Sequence, residues 1–136
     1  DYVYIKPEES YLLEESVTAL KEADAIILGP GSLYTSIIPN LLVKDMVKEI
    51  ISSKAIKIYI PNIMTQPGET DNYNLINHIE SIVKHTNEEI IDYVIANIEN
   101  IPDNVLNKYE LDGAKPVEFS NKQLNKLKYK NIKSFK

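Results

Sequence analysis

Three short apolar runs most constrain what this chain can become. They are "ADAIILG" (Ala23 to Gly29), "IKIYIPN" (Ile56 to Asn62) and "DYVIAN" (Asp92 to Asn97). The first shows no polar–apolar alternation, the pattern of a central parallel strand covered on both faces. The second is closed by Pro61, and the third reads as another buried strand. Helical segments separate the runs. Ser10 is placed to cap a helix to about Ala23, with Leu13, Val17 and Leu20 on one face. A second helix is expected from Pro39 to about Ser53. A third runs from Asn72 to about Thr86, with Leu75, Ile76, Ile79, Ile82 and Val83 on one arc and His78, Lys84 and His85 off its centre.

Strand and helix alternate throughout, which predicts an α/β protein: helix–sheet–helix around a mainly parallel sheet, with residues 1–136 forming one unit. At the edges, Tyr2 to Ile5 is a strand candidate. "PDNVLNKYELDG" is a short helix with Pro102 near its start and Gly113 past its end. "KPVEF", "NKQLNKLK" and "NIKSF" read as strand, short helix and a last strand, and the lysines from Lys122 as solvated surface.

Composition removes several function classes. There is no cysteine, so disulfides and thiolate metal sites are excluded. The formal charge is -5, which argues against a nucleic-acid partner. All 15 basic residues are lysine, so no bidentate guanidinium fork is available for phosphate. An anion would be held by backbone amides, hydroxyls and lysine. No apolar stretch reaches the ~20 residues of a membrane span. The chain opens on "DYVYIKP" without a methionine, which reads as a processed or trimmed start.

Two turns carry the chemistry. "GPGSLYTSIIPN" follows the first apolar run, where ligands bind in open parallel sheets. Gly29 and Gly31 permit a sharp bend and close approach to a ligand. A helix starting near Ser32 would aim free N–H groups and its positive end at the same place. Ser32, Tyr34, Thr35 and Ser36 add hydroxyls. The same residues also suit a simple chain reversal with a serine cap. Two known phosphate motifs do not fit. Tyr34 stands where the dinucleotide fingerprint needs its third glycine, and no Gly-Lys-Ser/Thr is present.

The second turn, "PNIMTQPGETDNYN" (Pro61 to Asn74), also leaves a strand and enters a helix, so it should emerge on the same sheet edge. It gathers Asn62, Thr65, Gln66, Glu69, Thr70 and Asp71, with Gly68 at the bend. Glu69 and Asp71 could accept from sugar hydroxyls or hold a divalent cation. Alternatively Thr70 or Asp71 caps the following helix. His78 and His85 are seven residues apart, a poor metal spacing, and read as a polar flank of their helix. Tyr73 and Tyr93 read as core-edge residues. A shared hollow requires Ser32 and Gln66 on the same rim.

"ADAIILGPGSLYTSIIPNLLV", "IPNIMTQPGETDNYNLINHIE" and "DYVIANIENIPDNVLNKYELDGAKPVEF" together resemble the YvcK-like proteins, bacterial relatives of the CofD transferases. The likeness runs from about Pro7 to Phe119. It implies a Rossmann-like three-layer fold and a cytoplasmic protein tied to carbon metabolism and cell-wall or cell-shape control. YvcK-like proteins are described as gluconeogenesis or morphogenesis factors that bind UDP-sugars such as UDP-N-acetylglucosamine, with no established reaction. The CofD branch instead moves a phospholactyl-type group from a nucleotide carrier onto a deazaflavin, with magnesium.

On this resemblance Gly29, Pro30, Gly31, Ser32, Tyr34, Thr35 and Ser36 line one side of a ligand cleft. Asn40, Asn62, Thr65, Gln66, Gly68, Glu69 and Asp71 form the other. The family's glycine-rich N-terminal turn has no match here, which implies the C-terminal half of such a protein. Ile98-Glu99 stands where the family commonly has Thr-Gly. Three readings follow: a UDP-sugar-sensing regulator, a magnesium-dependent transferase, and a non-binding half that self-associates through an exposed apolar face.

Overall fold

The three apolar runs pair into one parallel sheet in the computed structural model, which describes residues 2–7, 9–88 and 90–119. Strands β1 (Ala25–Leu28), β2 (Ile56–Tyr59) and β3 (Tyr93–Val94) lie in the order β1-β2-β3. Leu28 pairs with Tyr59, and Tyr59 with Val94. The helices are α1 (Glu14–Glu22), α2 (Ile38–Leu41), α3 (Met46–Ser52), α4 (Leu75–Thr86) and α5 (Asp103–Leu111). The α/β class and the parallel sheet agree with the sequence reading.

One sheet face carries Ile26, Leu28, Tyr59 and Val94, all buried in a single core with Leu33, Ile38, Leu41, Ile79 and Ile82. The opposite face behaves differently. Ile27 and its neighbour Ile56 are 57% and 48% exposed. Among the described residues β1 is therefore an outer strand covered on one face, not the doubly covered central strand that its unbroken apolar run suggested. The residue types suit either setting, because composition does not report what lies opposite. Ile27→Ser should accordingly cost under about 0.5 kcal/mol in urea unfolding, the scale of a surface change. A larger loss would place a covering layer over this face.

Several helix boundaries move. Ser10 does not cap α1. Its hydroxyl donates to the Pro7 carbonyl, and its own carbonyl accepts from Lys44 N–H. α1 starts four residues later, after Leu13, with no side-chain cap. Residues 2–5 form no strand, and Val3 N–H donates instead to His85 Nε2 at 3.1 Å. The helix expected from Pro39 to Ser53 is two helices. Asp45, at φ 67°, breaks the chain between α2 and α3. The "KPVEF" strand reduces to a single antiparallel bridge, Met64 with Pro116.

The third helix is capped by Asn74, not by Thr70 or Asp71. Asn74 and Asn77 exchange side-chain and backbone bonds at 3.0 Å each, a capping box. α4 ends at Asn87 in the left-handed conformation, as helix ends commonly do. α5 matches its expected bounds, with Pro102 before it and Gly113 after. The segments "NKQLNKLK" and "NIKSF", with the lysines from Lys122, lie outside the described residues.

Candidate functional site

The first turn leaves β1 through Gly29, at φ 87°. It enters five residues of π-helix, Leu33–Ile37, before α2. Pro39 explains the wide turn. In a regular α-helix its ring would meet the Thr35 carbonyl, and it has no N–H to donate. The chain instead bonds Ile37 N–H to Ser32 O and Ile38 N–H to Leu33 O. π-turns of this kind are frequent at functional sites. The amides of Ser32, Leu33 and Tyr34 precede the first of these bonds, so the turn itself gives them no acceptor.

The second turn is held to the first. Gly31 N–H donates to Asn62 Oδ1 at 3.1 Å, and Asn62 Nδ2 donates to Gln66 Oε1 at 3.3 Å. Ser32 Oγ donates to the Glu69 carboxylate, 2.6 Å from Oε2 and 2.9 Å from Oε1. The Thr35 amide and hydroxyl both donate to Ser32 Oγ. Gly31, Ser32, Thr35, Asn62, Gln66 and Glu69 thus form one connected group, with Ser32 and Gln66 on the same rim. Pro30, Thr35 and Ser36 are exposed there.

Other residues of the expected cleft are placed elsewhere. Asn40 is turned back along its own helix, donating to the Ser36 carbonyl at 2.6 Å. Thr65 is buried, and its hydroxyl accepts from Lys115 N–H at 2.9 Å, tying residues 63–65 to 115–117. Asp71 accepts from Gly68 N–H at 2.8 Å, closing its own turn. Thr70 does the same for Gln66 N–H. Glu69 and Asp71 therefore serve different partners. Among the described residues no three His, Asp or Glu side chains are grouped to hold a metal.

Tyr34 points inward. Its hydroxyl lies 2.8 Å from Tyr73 Oη and 3.1 Å from Ser81 Oγ, and its ring edge meets His85. Burial first, aided by the Tyr73 hydroxyl and opposed by the Ser81 bond, holds the Tyr34 phenol above its ordinary range. His78 is only 2% exposed, and its Nδ1 bonds the Asn74 carbonyl at 2.9 Å. His85 accepts from Val3 N–H at Nε2, so its Nδ1 carries the proton given to Ser81 O. The two histidines are therefore part of a polar–aromatic cluster under the first turn rather than a flank of α4. His78 joins it through the nearby Tyr73 ring, and spacing alone could not place His85, whose partners Val3 and Tyr34 come from distant segments. The Asn74–Asn77 box did have a sequence signal, an N-x-x-N pattern before an apolar run.

Burial lowers the His78 pKa, outweighing the Asn74 bond. The folded chain thus takes up this proton less readily than the unfolded chain. The His78 contribution should be fully present above about pH 6.5 and be lost as pH falls below it. Urea midpoints measured from pH 7.5 to 5 should decline, and His78→Gln should flatten that decline. An unchanged slope would remove His78 as its source.

The comparisons with known proteins agree on one family. The family model described as 2-phospho-L-lactate transferase CofD matches residues 1–135, and the chain belongs to this family. It is 45% identical over 125 residues to the gluconeogenesis factor of Bacillus subtilis, covering 92% of this chain and 39% of that protein. It is 48% identical over 104 residues to the gluconeogenesis factor of Listeria monocytogenes, covering 76% of this chain and 32% of that protein. A crystal structure of a UPF0052 family member from Bacillus halodurans superposes with TM-score 0.91 at 40% identity, over 96% of this chain and 42% of that one. The chain thus spans well under half the length of these relatives.

Among the described residues no helix is long and apolar enough to cross a membrane.

Proposed function

We propose that this chain supplies part of a nucleotide-sugar-binding cleft in a regulatory protein of carbon metabolism and cell-wall or cell-shape control. The metabolic link comes from the gluconeogenesis factors it resembles. The ligand is a UDP-sugar, and binding alters a partner contact rather than driving a reaction. The observation that carries this reading is the Gly31–Asn62 bond. It joins two loops beyond adjacent parallel strands, where α/β sheets present ligand sites. The diphosphate lies against the Ser32–Tyr34 amides and the exposed hydroxyls of Thr35 and Ser36. Glu69 accepts from the Ser32 hydroxyl at this turn.

The relatives are more than twice as long, and residues outside this chain complete the cleft. Calorimetry with UDP-N-acetylglucosamine tests the reading. The chain alone should bind with Kd weaker than about 1 µM, and Asn62→Ala should weaken that binding further. Sub-micromolar binding by the chain alone would refute a shared cleft. Binding unaffected by Asn62→Ala would move the site elsewhere. Turnover of a nucleotide carrier in the presence of magnesium would favour the transferase branch instead.

A further inference from the structure

A cavity of about 950 Å³ opens at the carboxyl ends of β2 and β3. Its volume falls within the range of small-molecule sites. Of the residues that the sequence marked as binding, only Asn62 lines it. Asn62 therefore joins the two places: its Oδ1 accepts from the first turn, and the residue forms part of the cavity wall.

The cavity differs chemically from the turn. Three acidic residues, Glu99, Asp103 and Glu118, line it, and among the described residues no lysine or histidine does. A phosphate placed there would face three acidic residues, whereas at the first turn it would face Glu69, already hydrogen-bonded to Ser32. The carboxylates, with the amide oxygens of Asn62 and Asn100, are acceptors that suit the donors of a hydroxyl-rich ring. Ile101 and Phe119, both half-buried, offer apolar surface to the ring's C–H face. The loop after β3 is fixed locally: Asn97 Nδ2 donates to the Glu99 carbonyl at 3.0 Å, and Glu99 N–H donates to Asn97 Oδ1 at 3.2 Å.

We propose that this cavity receives the neutral, hydroxyl-rich glycosyl ring of the ligand, while its phosphates lie against the Gly31–Ser36 turn. The orientation rests on the nucleotide-sugar reading above. It adds that the loop after β3, through Glu99 and Asn100, sets which sugar is accepted.

The test is an amide-shift titration of this chain with three probes: UDP-N-acetylglucosamine, UDP and free N-acetylglucosamine. The sugar nucleotide should bind at least tenfold tighter than UDP. Asn100→Trp, at an exposed position, should remove that advantage and leave UDP affinity unchanged. Equal loss for both probes, or no advantage of the sugar nucleotide over UDP, would overturn the orientation. Glu99→Lys supplies a second arm. If it strengthens UDP and the sugar nucleotide alike, phosphate occupies the cavity and the proposal fails. If no phosphate-bearing probe binds, the nucleotide-sugar reading falls, and free N-acetylglucosamine decides the cavity alone. Shifts confined to Asn97–Ile101 and Glu118 would sustain it, and their absence would overturn it.

Discussion

Gly29→Ala is expected to destabilise this protein by roughly 3 kcal/mol or more, the combined scale of a strained backbone and an overpacked site. Gly29 sits at φ 87°, where L side chains are strained whatever the space. Space is also missing. A methyl group there would lie 2.4 Å from the Ile60 carbonyl oxygen. That oxygen belongs to the backbone just after β2, so relief requires moving the strand end that carries Asn62. Gly68→Ala separates the two effects. Gly68 has φ 82°, but a methyl there would meet nothing within 4 Å. It should cost about 1 kcal/mol, the strain alone. Urea unfolding of both variants measures the difference, and equal costs would discard the steric part.

Leu33→Ala is expected to cost about 2–5 kcal/mol, the range for emptying a large core side chain. Leu33 is 1% exposed and is the first residue of the π-turn. Its side chain seats the loop on the core while its neighbour Ser32 bonds Glu69 and Thr35 is exposed. Losing that seat should loosen the Ser32–Glu69 and Gly31–Asn62 bonds together. Thr35→Ala is the control: its side chain is exposed, and its hydroxyl donates to Ser32 Oγ. It should cost no more than about 1 kcal/mol. A small loss at Leu33, near that of Thr35, would show that the turn holds its shape from its hydrogen bonds alone.

Much of the candidate site was legible along the chain. Glycine before and after Pro30, hydroxyls from Ser32 and a second loop after the next strand put both turns at one sheet edge. The pairing of residues was not legible. Nothing local says that Glu69 accepts from Ser32 while Asp71 closes its own turn, since both are acids in one loop. Thr65 and Tyr34 looked like ligand donors because they are polar. Their hydroxyls are committed to Lys115 and to Tyr73 and Ser81, contacts made across 39 to 50 positions and invisible to spacing. Glu99 stood out only as a departure from the family pattern, and the cavity it shares with Asn100 and Asn62 became visible only in the fold.

The three core strands with helices between them, their parallel pairing and the position of the two turns follow from the chain alone. They depend on local preferences: apolar runs too short for helices, amphipathic arcs at helical spacing, and glycine or proline where the backbone must bend. Tertiary structure alone decided which face of β1 is buried and which polar groups are consumed by the fold. Those outcomes depend on what stands opposite each residue. A hydrogen bond or a buried face is a relation between distant segments, and only folding brings the two sides together.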